Sequence, residues 1–256
     1  MSKNIERAAQ ILLKSKYVIC LTGAGISVES GIRPFRGPGG LWTELGEPPM
    51  DGYQRFVRDP KAHWEEIMKR GSRTSEFARA IGEAKPNPAH TALAELEQMG
   101  LLKYLITQNI DNLHIAAGSK NVAEIHGNTQ KLRCVECNTR WSRDSAPFSL
   151  EVLPPRCPEC NGIVKTDTVM FGEPIPPDVL RVCQRESLRA DCMLSVGTSA
   201  FVYPAAGFPL EVKRRGGVLV EVNLYESELS PICDVVLTGK AGEVLPQLVS
   251  ALRSVK

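Results

Sequence analysis

The sequence predicts an α/β protein: a parallel sheet with helices on both faces, joined to a smaller lobe. Three observations predict it. Short, β-rich apolar runs alternate with helical periodicities over most of the 256 residues. The runs are continuously apolar rather than alternating in polarity, as befits strands buried on both faces. Two stretches, residues 38–86 and 128–168, leave that rhythm for proline- and glycine-punctuated sequence.

Taken in order, Ile5, Ala8, Ala9, Leu12 and Leu13 follow the i, i+3, i+4 spacing of an amphipathic helix, and Tyr17–Thr22 reads as a buried strand. Residues 38–86 hold short helical patterns such as "DPKAHWEEIMKR". Asn87 is placed as an N-cap, with Pro88 at the first helical position and Gly100 as terminator; "LLKYLIT" is the next strand. A further short apolar run ends at His126 in "VAEIHGN". Residues 128–168 are polar, cysteine-bearing and interrupted by proline. "CMLSVGT", "GVLVEVNL" and "CDVVLTG" are then three more strands, with helical patterns between or after them, including "EVLPQLVSALRSV".

Composition excludes several function classes. A formal charge of +2 from 31 basic and 29 acidic residues leaves no footprint for nucleic acid or anionic lipid. No apolar run approaches a membrane span, and "MSKNIERAAQILLK" is an amphipathic helix rather than an export signal. A cytoplasmic protein in a reducing compartment is therefore expected, where paired cysteines point to metal rather than disulfides.

Four of the eight cysteines carry the strongest local signal. Cys134 and Cys137 form one C-x-x-C pair, Cys157 and Cys160 another, with nineteen residues between them. Two such knuckles aim four thiolates at one point, the arrangement of a structural zinc site with no position left open for catalysis. Cys20, Cys183, Cys192 and Cys233 lie in apolar runs or helical patterns and read as core thiols.

Three polar clusters follow strands. "LTGAGISVESGIRPFRG" crowds Gly23, Gly25, Gly31 and Gly37 after the first strand, with hydroxyls at Ser27 and Ser30 and the cation Arg36. The loop reads either as a phosphate cradle opening into a helix or as a tight strand-to-helix turn. It fails the dinucleotide fingerprint, because Val28 holds the third glycine position and no acid ends a second strand about 20 residues later. Gln108, Asn109 and Asp111 follow the second strand, as ligand residues or as a helix cap. His126 can serve as a general base near neutral pH or as an ordinary satisfied polar residue. His63, His90 and His114 fall in helical patterns, and nothing else distinguishes them.

Taken together, "GAGISVESGIRPFRG", "TQNIDNLH", "EIHGN", the cysteine pairs, "VMFGE", "GTSAFVYPA", "VNL" and "GKAG" resemble the sirtuins, NAD-dependent protein-lysine deacylases, from about residue 5 to about 250. The resemblance implies a Rossmann-like NAD-binding domain from residues 1–37, 87–127 and 169–256. Residues 38–86 would be a helical insert and 128–168 a zinc ribbon, together forming the small domain. Gly23, Ala24, Gly25 and Ser27 would line the NAD phosphates, and Ile32, Phe35 and Arg36 would belong to a flexible cofactor loop. Gln108, Asn109, Ile110 and Asp111 would hold ribose and nicotinamide, with the carboxamide held partly by Asp111. Gly197, Thr198 and Ser199 would meet pyrophosphate and ribose; Asn223, Leu224 and Ala241 would flank the adenosine end. Val169, Phe171, Gly172 and Glu173 would pair with an acylated-lysine substrate bound as an added strand.

In that family the acyl oxygen attacks C1′ of the nicotinamide ribose, nicotinamide leaves, and an alkylimidate forms. The catalytic residues implied are His126 and Asn109, with His126 as the base that activates the ribose hydroxyl and Phe35 as a shield over C1′. Zinc would take no part in the chemistry. Two departures stand out. Arg33-Pro34 replaces the Pro-Asp of many relatives, and Ile67 with Arg70 falls where relatives selective for acidic acyl groups carry Tyr and Arg. The expectation is a monomeric deacetylase for acetyl or another neutral acyl group. Alternatives are mono-ADP-ribosyl transfer, removal of longer or acidic acyl groups, and a non-enzymatic zinc-ribbon module that senses nucleotide.

Overall fold

The computed structural model of the protein describes residues 3–70 and 76–254. Helix α1 (Lys3–Lys14) buries Ile5, Ala8, Ala9 and Leu12 and leads into strand β1 (Val18–Thr22). The glycine-rich stretch that follows is a 3₁₀ helix over Ala24–Ser30. It is ended by Gly31 at φ 87, whose N–H turns back to the carbonyls of Ser27 and Val28. Four short helices come next, α2 (Leu41–Leu45), α3 (Gly52–Arg58), α4 (Pro60–Arg70) and α5 (Glu76–Glu83). Helix α6 (Pro88–Gln98) begins where its sequence says: the Asn87 side chain accepts from Ala89 N at 2.9 Å, and Asn87 N donates to His90 Nδ1 at 3.3 Å.

Strand β2 (Leu102–Thr107), helix α7 (Leu113–Ala116) and strands β3 (Val122–Glu124), β4 (Gly127–Cys134), β5 (Arg140–Ser142) and β6 (Val164–Thr168) complete the first two thirds of the chain. The remainder alternates regularly through α8 (Pro177–Arg189), β7 (Cys192–Val196), α9 (Gly207–Arg214), β8 (Val218–Asn223), β9 (Val235–Thr238) and α10 (Ala241–Ser254).

Six strands pair in the order β3-β2-β1-β7-β8-β9, all parallel. Successive residues of β1 serve opposite faces. Val18 and Cys20 join the core formed with α1, α6 and α10, whereas Ile19 and Leu21 join Cys183, Phe208 and Val212 of α8 and α9. That double burial explains why the strands read as unbroken apolar runs. The chain runs outward one way from β1 through β3 and the other way from β7 through β9. The carboxyl ends of β1 and β7 therefore flank the place where strand order reverses, the usual ligand crevice of such sheets.

The smaller lobe is an antiparallel sheet ordered β5-β4-β6, with β6 at its edge, and helix α4 packs against it. Trp64 is fully buried there with Leu132, Cys134, Cys157 and Val164, and its indole N–H donates to Val164 O at 2.8 Å. The chain crosses between lobes after Ile125 and again after Thr168, and the two crossings are tied: Gly127 pairs with Thr168, and Val169 N donates to His126 O at 2.9 Å. Gly127 is obligatory at this crossing. Its φ is +80, and a Cβ there would lie 1.4 Å from Asp167 O.

Candidate active site

The ends of all six parallel strands open onto one cleft of about 2050 Å³ between the lobes. Gly23 and Gly25 follow β1, Gln108 and Asn109 follow β2, His126 follows β3, Gly197 to Ser199 follow β7, Asn223 ends β8 with Leu224 after it, and Gly239 to Ala241 follow β9. Ala24, Ile32, Phe35, Arg36 and Ile110 line it as well, together with Val169, Phe171, Gly172 and Glu173 from the far side.

The glycines at its base have a reason that the sequence did not reveal. Gly25 N donates to Gly197 O at 2.8 Å and Gly23 N to Val196 O at 3.0 Å. A Cβ on Gly23 would lie 2.8 Å from Gly197 O, and one on Gly25 2.7 Å from Gly197 Cα. Gly197 itself is at φ +60. These residues let two backbones touch at the reversal of strand order, so the floor of the cleft is bare main chain.

Ser27 and Asp111 do not line the cleft; both are buried behind it. Ser27 Oγ donates to Asp111 Oδ2 at 2.7 Å, and Leu113 N donates to Asp111 Oδ1 at 3.0 Å, so the carboxylate ties the first loop to the turn before α7. Asn109 joins the two layers, its amide donating to Gly23 O at 3.2 Å and to Ser27 Oγ at 3.0 Å. Gln108 spans β1 to reach Thr198 Oγ1 at 2.9 Å.

Two histidines that the sequence did not distinguish underlie this layer. His90 Nε2 lies 3.4 Å from Ser27 Oγ, His114 Nε2 lies 2.9 Å from Thr22 Oγ1, and the two rings sit 4.9 Å apart. Burial pulls His90 down to about 4 against the opposing pull of Asp111; burial, then His90, holds His114 well below its usual range. Both imidazoles are therefore neutral supports. The one local signal that could have marked His90 is its place three residues after the Asn87 N-cap; its contact with Ser27 spans sixty-three residues of sequence.

His126 is half-buried on the cleft wall. Its Nδ1 lies 3.1 Å from the carbonyl oxygen of Gln108, which can only accept, so the proton is on Nδ1 and the lone pair on Nε2. Burial lowers its pKa from the usual 6.5, and the Gln108 bond partly opposes that.

The loop after Gly31 is latched by charge and by rings. Arg33 donates to Gly39 O at 3.0 Å and pairs with Glu44, while Arg36 pairs with Glu47 at 2.5 Å and lies 4.9 Å from the centre of the Trp42 ring. Pro34 O accepts from Leu41 N at 2.8 Å. Arg33-Pro34 thus closes the loop through Gly39, Leu41 and Glu44. Phe35 packs tilted against Trp42 at 4.7 Å and Phe77 at 5.4 Å between ring centres, and Trp42 reaches Phe171 at 5.5 Å. Ile67 also lines the cleft; Arg70 closes α4, and its side chain lies outside the described part. Phe201, Val202 and Tyr203 line the cleft too; they belong to the "GTSAFVYPA" stretch, of which only Gly197, Thr198 and Ser199 were expected at the site.

The four cysteines do converge. Their sulfurs all lie within 4.8 Å of one another, with Cys134–Cys160 at 3.5 Å and Cys137–Cys157 at 3.6 Å. A tetrahedron with zinc–sulfur bonds of about 2.3 Å has edges of about 3.8 Å, so the set fits one zinc ion with no vacancy. Arg36 and the side chains of Gln108, Asn109 and Asn223 bring polar groups to a cleft floored by main chain, the setting that ribose and phosphate oxygens need. Ile32 and Phe35 supply an apolar wall for a ring.

A model of the Sir2 family matches residues 23–204. An NAD-dependent protein deacylase of Pyrococcus furiosus is 47% identical over 254 residues, covering 98% of this chain and 99% of the relative. Among solved structures, a Sir2 homolog–NAD complex aligns with a TM-score of 0.79 at 44% identity, over 98% of this chain and 94% of its own. A Sir2 variant complexed with deacetylated p53 peptide and 3′-O-acetyl ADP-ribose aligns with a TM-score of 0.77 at 35% identity, over 96% and 97%.

Proposed function

This chain belongs to the Sir2 family, and we infer from its site that it is an NAD-dependent protein-lysine deacetylase that transfers the acyl group to ADP-ribose with release of nicotinamide. The observation that carries the assignment to this site is the committed tautomer of His126 on the wall of a cleft floored by bare main chain. Bound NAD supplies the electrophilic sugar carbon and the leaving nicotinamide.

The chain's own residues supply the rest. Gln108 and Asn109 orient the ribose and nicotinamide, and Asn109 transmits the position of the Ser27–Asp111 pair behind it. His126 Nε2 takes the proton of the ribose hydroxyl, and its Nδ1–H bond to Gln108 O steadies the imidazolium that results. Phe35, braced by Trp42 and Phe77, covers the reacting carbon and keeps water away until the acyl group has moved. Arg36 must exchange Glu47 for phosphate when the cofactor enters.

Edge strand β6 continues directly into Val169–Gly172 on the cleft, which supports docking of the acylated segment as an added strand. Ile67 on the same wall supports acetyl or another neutral acyl group. The zinc holds the small sheet together and stays out of the reaction. No helix among the described residues is long and apolar enough to cross a membrane. We read the protein as a cytoplasmic monomer whose remaining cysteines, Cys20, Cys183, Cys192 and Cys233, serve as core thiols.

The test is nicotinamide release with acetyl-, succinyl- and long-acyl-lysine peptides, in wild type and His126→Ala. Release should require an acyl peptide and be highest with acetyl, and it should collapse in the variant. Full activity of His126→Ala would overturn the assigned base.

A further inference from the structure

We propose that Glu173 and Arg133 are positioning residues: a buried charge cluster rooted in the zinc-bearing sheet sets the edge on which the acylated peptide adds. The proposal rests on the reading of Val169–Gly172 as that edge.

Glu173 lines the cleft through its main chain, but its carboxylate is only 3% exposed and points into the small lobe. One oxygen accepts from Arg133 Nη2 at 2.5 Å; the other accepts from Lys165 Nζ at 3.1 Å and from Met170 N at 2.9 Å. Glu173 N returns a bond to Met170 O at 3.0 Å. The residue therefore clamps the turn that carries Phe171 and Gly172, and its side chain is not available to a peptide. It acts through the loop rather than on the substrate.

Both cations come from the zinc-bearing sheet. Arg133 in β4 immediately precedes Cys134, and its remaining donors reach Asp167 at 2.8 Å and Asn138 at 3.1 Å in the first cysteine knuckle. Lys165 in β6, wholly buried, also donates to Thr166 O at 2.9 Å and Thr168 O at 2.6 Å. Two buried cations thus face two buried acids, with Arg140 also pairing with Asp167 at 3.0 Å. Loss of Glu173 leaves Lys165 with main-chain carbonyls alone, in a medium that solvates its charge poorly. The segment's other ties come from elsewhere: Val169 N to His126 O at 2.9 Å and Tyr53 N to Phe171 O at 3.0 Å. Beyond the direct continuation of β6 into Val169, the Glu173 carboxylate ties the turn at Met170–Glu173 to the side chains of the metal-bearing sheet.

The experiment uses the full chain as wild type, Glu173→Ala, Glu173→Gln and Arg133→Lys, with zinc content and melting measured for each. Steady-state kinetics vary acetyl-lysine peptide and NAD separately, and hydrogen exchange follows the amides of residues 169–173. Loss of a charged hydrogen bond should raise the peptide KM about tenfold in Glu173→Ala. Glu173→Gln keeps an acceptor for Met170 N, and its peptide KM should rise about threefold. The NAD KM should stay within about twofold of wild type, and exchange should quicken across 169–173. An unchanged peptide KM with unchanged exchange, or peptide and NAD KM rising in step, would overturn the proposal. Should Glu173→Ala fail to fold, Glu173→Gln and Arg133→Lys carry the comparison. Should wild type turn over no acyl peptide, the deacetylase reading is what fails, and the exchange data still decide whether the cluster holds the edge.

Discussion

Gly25 and Gly197 meet main chain to main chain, with Gly25 N donating to Gly197 O at 2.8 Å and no room for a side chain on either. The contact joins the two crossover loops from which the cleft floor is made. Gly25→Ala would drive a Cβ to 2.7 Å from Gly197 Cα, and backbone cannot yield as a flexible side chain can. The expected cost is about 2–3 kcal/mol of stability, read as a melting point lowered by several degrees, with weaker NAD binding by calorimetry. Gly82→Ala is the control: nothing lies within 4 Å of its Cβ, and within α5 it should be neutral or slightly stabilising.

His126 must be neutral to act as base, and burial lowers its pKa below the usual 6.5. Activity should therefore persist to lower pH than an exposed histidine would allow. The acid limb of kcat/KM against pH should fall below about 6.5. A limb above pH 7 would contradict the assignment.

His90 and His114 link the floor of the site to acid stability. In the unfolded chain each takes up a proton near pH 6.5, while His90 in the fold resists to about 4 and His114 is likewise held down. Between those values the unfolded state binds more protons, so stability is full above about pH 7 and declines as pH falls. His90 alone would account for up to about 3 kcal/mol lost by pH 4. Urea denaturation from pH 7 to 4 should show a shallower slope in His90→Asn than in wild type. Equal slopes would mean that the ring is charged in the native state.

Zinc removal should be felt beyond the ribbon. Trp64 of α4 rests on the zinc-bearing sheet through its bond to Val164 O and its contacts with Cys134 and Cys157. Cys134→Ala, or chelation under denaturing stress, should release one zinc per chain, red-shift Trp64 fluorescence and lower the melting point. Retention of the wild-type emission maximum after metal loss would show that the sheet stands without it.

Some of this was written in short stretches of sequence. The cap of α6 at Asn87, the apolar strands and the cysteine knuckles obey rules that act over a few residues, and those rules held where the chain folded. Three features lay beyond such rules. Arg33-Pro34 has no local rationale until Glu44 and Gly39 O come round to meet it. Glu173 has the look of a ligand residue by its place in "VMFGE", yet its carboxylate is spent on Arg133 and Lys165. His90 and His114 appear as ordinary helix residues until Thr22 arrives at the end of the first strand and Ser27 in the 3₁₀ helix after it.

The sequence by itself determined the elements, the metal ligands and the strand ends at which chemistry would gather, because hydrophobic period, capping and thiol spacing are local. Only the tertiary structure decided which polar residues face the cleft and which support it from behind. That choice depends on close packing between segments remote in sequence, where a missing Cβ at Gly25 or a buried carboxylate at Glu173 takes its meaning from the partner it meets.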